Sequence, residues 1–272
     1  MTIKYIFCDI DGTLIQKREP LTSSFIEEVR EITDQGFFFT FASGRLPYRI
    51  QPLLDELGLA NQPYVACNGA LVKKGTETLF QKKFPLALVR NLVDKALAAN
   101  MTVLYAIDEL EYVMAENSAT KRKRAERGNY HPLKMPTEAE WQTLEIIKLN
   151  VLQDDSIEDI RLFEAEFEEI KEQILITRYG TYGIELVSQG VSKQTGIELV
   201  LQQVRGNLEA VATIGDNEND CEMIQAAALG IAVGNATPEL AKLADFQVAG
   251  IASQGVEEAL KQIRMQQREG NK

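Results

Sequence analysis

The sequence predicts an α/β protein, a doubly wound parallel-sheet core interrupted by an inserted α+β domain. Three observations carry that expectation. Residues 1–82 alternate short apolar strands with amphipathic helices, the order of a parallel sheet wrapped by helices. The alternation stops near residue 83 and resumes near residue 188. Polar residues also stand abruptly at the ends of several strands, where open parallel sheets bind ligands.

The elements follow in order. Residues 3–8 (IKYIFC) form a β-branched and aromatic run that stops at Asp9. Thr22–Ser24 offer helix caps; Phe25, Ile26, Val29 and Ile32 recur at helical spacing, and Gly36 closes the helix. Phe37–Ala42 is a second strand, ending at Ser43-Gly44-Arg45. Pro47 suits a first helical turn, with Ile50, Leu53, Leu54 and Leu57 on one face and Gly58 as the stop. Tyr64–Cys67 reads as a third parallel strand, and Asn68-Gly69 as a turn with positive φ leading into the strands Ala70–Val72 and Thr78–Phe80.

Residues 83–187 change character. Leu86–Ala98 is an amphipathic helix, and Thr102–Ala106, Tyr112–Met114 and Ile146–Leu152 read as antiparallel strands. Ser156 and Asp159 resemble a capping box, predicting a helix over Ile157–Gln173 with Ile157, Ile160, Phe163, Phe167 and Ile170 on its stripe. Strands Ile174–Arg178 and Tyr182–Val187 close the insert. Ser192 then caps a helix to Val204, Ala210–Ile214 is a strand, and Asn217–Ala228 is a helix. Ile231–Val233, a helix opened by Thr237-Pro238, Phe246–Val248 and the helix Val256–Arg268 complete the core.

Composition narrows the function classes. At 45% hydrophobic and 25% charged, the 272 residues have globular usage, which excludes disordered and fibrous classes. A net charge of −11 repels phosphate backbones and argues against nucleic-acid binding. One histidine, His131, cannot build a two-histidine metal centre, and it reads as a structural residue. Three widely spaced cysteines without a CxxC argue against disulfides and zinc. The apolar stretches fall short of the ~18 residues a membrane span needs. MTIKYIFCDIDG lacks the pattern of a signal peptide, so the expected location is the cytoplasm.

The strand ends carry the chemistry. Asp9 and Asp11 follow the first strand, Ser43 the second, and Asp216, Asn219 and Asp220 the strand Ala210–Ile214; Lys193 opens the helix after the insert. The topology brings these groups to one edge of the sheet. Carboxylates, a hydroxyl and an ammonium suit a divalent cation and a phosphoryl group, since magnesium takes one or two protein carboxylates plus substrate phosphate. A carboxylate kept ionised by a cation and a lysine attacks phosphorus, and a second acid protonates the leaving oxygen and then accepts a proton from water.

Asp9-Ile10-Asp11-Gly12-Thr13-Leu14 resembles the first motif of the haloacid dehalogenase superfamily, DxDGT[LV]. Ser43-Gly44-Arg45, Lys193 and Gly215-Asp216-Asn217-Glu218-Asn219-Asp220 resemble its second, third and fourth motifs. The GDxxND ending, Cys67-Asn68-Gly69-Ala70 and Val233-Gly234-Asn235-Ala236 resemble the Cof-type branch, subfamily IIB, in which a C2 cap occupies the place of the insert. The resemblance implies a Rossmann-like core of residues 1–82 and 188–272, and a cap of residues 83–187 that sets specificity. It implies Asp9 as nucleophile and Asp11 as general acid/base, with Lys193 as the third catalytic group. Asp9, Asp11, Asp216 and Asp220 would form the metal set, with Asp220 and Asn219 also steadying the metal shell and Lys193. Thr13, Ser43, Gly44, Arg45, Asn68, Lys193 and Asn219 would form the phosphate and substrate set.

Each group alone has a plainer reading: the aspartates as caps or solvated turns, Lys193 as a surface lysine, Asn68-Gly69 as a turn. Together and in family order they point to a magnesium-dependent phosphatase of small phosphorylated metabolites, sugar phosphates first, acting as a monomer or homodimer. A phosphomutase and a non-catalytic phospho-ligand binder are the alternatives; a receiver domain would not need the insert. Cysteine-phosphatase chemistry fails, because Leu14 and Lys73 stand where C-x5-R requires arginine. No G-x-x-x-x-G-K-[ST] or G-x-G-x-x-G occurs. Lys121–Arg127 (KRKRAER) is read as a solvated basic face, and Arg178, Tyr179 and Tyr182 are candidate cap contacts near the second linker.

Overall fold

A computed structural model describes residues 2–16, 19–127, 130–179 and 182–270. In chain order the elements begin β1 (Tyr5–Cys8), α1 (Ser23–Asp34), β2 (Phe38–Phe41), α2 (Pro47–Glu56), β3 (Pro63–Ala66), β4 (Leu71–Lys74) and β5 (Glu77–Gln81). There follow β6 (Phe84–Pro85), α3 (Arg90–Ala98), β7 (Thr102–Ile107), β8 (Leu110–Val113), α4 (Ser118–Arg127), α5 (Glu138–Thr143) and β9 (Glu145–Ile146). Next are β10 (Lys148–Leu152), α6 (Glu164–Ile170), β11 (Ile174–Tyr179), β12 (Gly183–Ser188), α7 (Lys193–Val204) and β13 (Val211–Gly215). Last come α8 (Cys221–Ala226), β14 (Leu229–Ala232), α9 (Pro238–Leu243), β15 (Phe246–Gln247) and α10 (Ala252–Gly270). Two compact units result: residues 1–80 with 192–272, and residues 81–191. The insert thus begins two residues earlier and ends four later than the sequence pattern suggests.

The first unit is built on a parallel sheet in the order β15-β14-β13-β1-β2. β1 lies inside it, pairing Cys8 with Ile214 on one side and Phe41 on the other. Helices cover both faces of β1, burying Ile6, Phe7 and Cys8 completely, which is why its residues run as unbroken apolar sequence. Phe7, Val200, Leu201, Val211 and Met223 pack one face under α7 and α8. On the other, Phe25 of α1 meets Phe39, which meets Phe41 edge-on, and each fully buried ring contributes about 1.5–3 kcal/mol. α1 also packs along α10, where Arg264 pairs with Glu28, and Thr22 and Ser24 donate to Glu257.

The expected third parallel strand is corrected. β3 belongs to a separate sheet, β3-β4-β5; its parallel direction is as expected, but it meets the chain only just past β2, in an isolated parallel bridge between Ala42 and Val65. The hairpin partner β4 pairs with it from Pro63–Lys74 to Ala66–Leu71.

The second unit is an antiparallel sheet, β11-β12-β10-β7-β8. Tyr105, Leu149, Val151, Ile184 and Leu186 alternate onto one face and pack against Leu92 and Val93 of α3 and Phe167 of α6. Lys148 and Asn150 point to the opposite face, as does Glu185, whose carboxylate accepts from Lys148 Nζ at 2.8 Å. The helix predicted over Ile157–Gln173 is shorter. Ser156 donates to the Ala99 carbonyl and accepts from the Glu158 amide in a bend, Asp159 caps a 3-10 turn at Ile160–Phe163, and Ile157 lies exposed. The helix predicted over Asn217–Ala228 likewise resolves into a 3-10 turn at Glu218–Asp220 followed by α8. No described helix is long and apolar enough to cross a membrane.

Candidate active site

The site forms where β1, β2 and β13 end and α7 begins. β1 delivers Asp9, whose amide donates to the Ile214 carbonyl and whose side chain is buried. The chain then turns back at once: the Leu14 and Ile15 amides both donate to the Ile10 carbonyl, at 2.9 and 2.8 Å. Gly12 adopts φ +94°, and a Cβ there would stand 2.4 Å from Asp216 Oδ2, so only glycine fits. Thr13 Oγ1 donates to Asp216 Oδ1 at 2.6 Å, joining the first loop to the one after β13.

Lys193 is the first residue of α7, placed by the reciprocal cap between Ser192 and Thr195. Its Nζ lies 2.6 Å from both Asp9 Oδ1 and Asp220 Oδ1, and the lysine is 1% exposed. The other oxygen of Asp220 accepts from the amides of Asp216 and Asn217 at 3.0 and 3.1 Å. Asp220 is therefore committed to holding Lys193 and the loop. Carboxylate oxygens of Asp9, Asp216 and Asp220 gather within 4.8 Å of one another.

Three carboxylates against one ammonium leave this pocket two negative charges in excess. Burial raises Asp9 to about 8, against the pull of Lys193 and with the help of Asp220 and Asp216. Burial likewise raises Asp216 to about 6, although the bond from Thr13 opposes it. For Lys193, burial works against the charged form, yet Asp220 and Asp9 prevail and raise its pKa. An oxygen donor set short of positive charge fits a small hard dication such as magnesium.

Asp11 differs. Its side chain is 57% exposed, and its carboxylate accepts from Arg45 Nε and Nη2, both at 2.7 Å. Burial acts to raise its pKa, but the hydrogen bonds and charge of Arg45, with Arg49 and Lys193 behind, hold it below the ordinary carboxyl value. Ser43 is buried, and its Oγ accepts from the Arg45 amide at 3.2 Å. Gly44 passes so close to Asn68 that a Cβ would lie 3.2 Å from the Asn68 amide nitrogen.

Cys67, Asn68 and Gly69 all take positive φ, +51°, +51° and +97°. The turn expected at Asn68-Gly69 is present, with Cys67 drawn into it. The Cys67 amide donates to the Arg45 carbonyl and the Asn68 amide to the Ser43 carbonyl, both at 3.0 Å. Asn68 Oδ1 accepts from Asn219 Nδ2 at 3.0 Å, so Asn219 meets Asn68 rather than Lys193.

The structure thus assembles every residue singled out in the core motifs. It adds Asn235, whose amide donates to the Gly12 carbonyl at 2.9 Å and braces the aspartate loop. Its sequence signal is the segment Val233-Gly234-Asn235-Ala236. In Lys121–Arg127, Arg122 pairs with Asp155, Lys123 with Asp154, and Lys121 and Arg124 with Glu116. The Arg127 side chain lies outside the described residues. Arg178 lies over the Phe167 ring beside Glu164, Tyr182 is half exposed, and the Tyr179 side chain also lies outside the described residues. His131 pairs with Glu111. The three cysteines are free, and burial pushes the Cys8 thiol up, consistent with a packing role.

The chain is 26% identical over 264 residues to YkrA of Bacillus subtilis, provisionally described as a phosphatase, covering 97% of this chain and 98% of that one. It is 24% identical over 263 residues to the phosphoglycolate phosphatase of Methanothermobacter thermautotrophicus, covering 96% and 99%. The solved structure of the subclass IIB sugar phosphatase BT4131 superimposes with a TM-score of 0.82 at 23% identity, covering 96% of this chain and 99% of that one; at that identity the likeness speaks for the fold. The family described as haloacid dehalogenase-like hydrolase matches residues 6–260, and the chain belongs to that family.

Proposed function

We propose that the chain, a phosphatase of this family, hydrolyses small phosphate monoesters, sugar phosphates foremost, through an aspartyl-phosphate on Asp9. The observation that carries this reading is the buried contact of Asp9 with Lys193, with Asp11 two residues on and Asp216 tied to the same loop by Thr13. Asp9, Asp216 and the backbone carbonyl of Asp11 would hold a magnesium ion. The ion would neutralise the phosphoryl group and keep Asp9 ionised.

An Asp9 carboxylate oxygen attacks phosphorus while the bond from phosphorus to the ester oxygen breaks, and Asp11 gives that oxygen its proton. Water then attacks the phosphorus of the aspartyl-phosphate and gives a proton back to Asp11, which releases phosphate and restores Asp9. Lys193 and the Ser43 hydroxyl hold the phosphoryl oxygens, and Asn68 and Asn219 border the leaving group. Residues 81–191 select the substrate. The cytoplasm, where such metabolites occur, is the place of action.

The test measures phosphate release from sugar phosphates, pyridoxal phosphate and flavin mononucleotide, with magnesium and with chelator, using Asp9→Asn as blank. Magnesium-dependent release that vanishes in the variant is the expected result. Release that survives Asp9→Asn would remove Asp9 as nucleophile, and an isomer formed without free phosphate would make the enzyme a mutase.

A further inference from the structure

Arg45 stands in a motif whose resemblance places it near the phosphate or the leaving group, and its guanidinium binds Asp11. Nε and Nη2 donate to Oδ2 and Oδ1, both at 2.7 Å, the parallel two-bond pairing that fixes both the position and the plane of a carboxylate. The arginine is the anchored partner. Its side chain is 9% exposed against 57% for Asp11. Its amide donates to Ser43 Oγ and its carbonyl accepts from the Cys67 amide, so the loops after β2 and β3 both grip its backbone. Pro47 starts α2 two residues later and stiffens the exit. Asp11, by contrast, sits on a tight turn and receives both of its side-chain hydrogen bonds among the described residues from Arg45.

We propose that Arg45 is a positioning residue for proton transfer, acting through Asp11 by aiming its carboxylate at the leaving-group oxygen. The proposal rests on the phosphatase reading with Asp11 as acid. An exposed aspartate explores several rotamers, and proton transfer demands one orientation. The fork supplies that orientation without touching the substrate. The two-bond pairing favours the ionised carboxylate, so when Asp11 takes up a proton one of the two bonds is given up: one oxygen still accepts from Arg45 while the other, released, presents the O–H. The strained Cys67–Gly69 turn acquires a role here, since its first amide holds the Arg45 carbonyl.

The test compares two esters whose leaving groups differ in their need for a proton. A sugar phosphate leaves as an alkoxide and requires the acid; 4-nitrophenyl phosphate leaves as a stable phenolate and does not. kcat/KM reports the steps through departure of the leaving group, so the ratio of the sugar to the aryl value isolates the acid. Asp11→Asn is expected to lower that ratio by about 10²–10⁴-fold, the ordinary contribution of general acid catalysis. Arg45→Gln is expected to lower it by about 10–100-fold, and Arg45→Lys by nearly as much, because an ammonium keeps the charge and loses the fork. Arg45→Gln combined with Asp11→Asn should lower it no further than Asp11→Asn alone.

A ratio that stays at the wild-type value in Arg45→Gln, with both esters slowed equally, overturns the proposal in favour of a phosphate contact. A wild-type ratio in Arg45→Lys overturns it as well, and this variant serves if Arg45→Gln does not fold. An unchanged ratio in Asp11→Asn would instead refute the phosphatase reading of Asp11 itself.

Discussion

Asp9→Asn should flatten the pH dependence of the stability of the metal-free protein. Asp9 is raised to about 8 in the folded chain, from 3.8 as a free carboxyl. Between pH 5 and pH 8 the folded state therefore holds a proton that the unfolded chain has already released. A raised pKa means stability present at low pH and lost as pH climbs toward 8. Each pH unit changes stability by about 1.4 kcal/mol per proton, so three units give a ceiling of about 4 kcal/mol. Asp216, raised to about 6 in the same pocket, keeps a proton of its own below that pH, and the comparison of the two proteins isolates the share of Asp9. For a unit of this size the ceiling corresponds to roughly 10 °C in melting temperature. Thermal and urea unfolding in chelator, at half-unit steps from pH 5 to 8.5, would read it in both proteins. The wild type should lose stability with rising pH and the variant should lose much less. Magnesium should restore the wild type at pH 8, by about 2.7 kcal/mol at one hundred times its Kd. Parallel curves for the two proteins, or a wild type that strengthens toward pH 8, would refute the account of a pocket short of positive charge.

Removing the ammonium in Lys193→Met should abolish turnover and cost about 3–5 kcal/mol at pH 8, since it strands Asp9 and Asp220 in the interior; urea unfolding checks it. Gly12→Ala should lose activity and at least about 1 kcal/mol, because the new methyl group meets Asp216 at a backbone conformation alanine avoids; phosphate release and melting temperature report the two effects. In the inserted unit, Lys148→Met should destabilise by about 3–5 kcal/mol, whereas Lys148→Met with Glu185→Leu should recover most of the loss; a double-mutant cycle on the unfolding transition measures it.

The order of strands and helices in the first unit was legible because two-sided burial writes unbroken apolar runs, as in Tyr5–Cys8. The membership of β3 was not. Pro63–Ala66 is as apolar as a central strand, and only its pairing with Leu71–Lys74 sets it in another sheet. The over-long helix at Ile157–Gln173 shows the same limit: Ile157 keeps the helical spacing but is 96% exposed, because Ser156 turns to the Ala99 carbonyl. Within the site, residue identities were readable from spacing, but their partners were not. No sequence pattern announces that Arg45 reaches back to Asp11, that Asn219 reaches Asn68, or that Asp220 divides its oxygens between Lys193 and two backbone amides. Those choices follow from loop curvature, set by Gly12, Cys67, Asn68 and Gly69 at positive φ.

The interior place of β1 has a consequence for how the protein is made. One neighbour, β2, leaves the ribosome almost at once, but the other, β13, lies beyond the whole insert. At a synthesis rate of about 5–20 residues per second, the flank of β1 that will receive β13 waits on the order of ten seconds for its partner. During that interval residues 81–191, continuous in the chain, are already complete and free to fold, while an apolar strand beside them offers unpaired amides and carbonyls to any passing chain. Slowing translation after residue 191 should therefore lower the yield of soluble protein more than slowing it before residue 5, a dependence on timing that the finished molecule no longer displays.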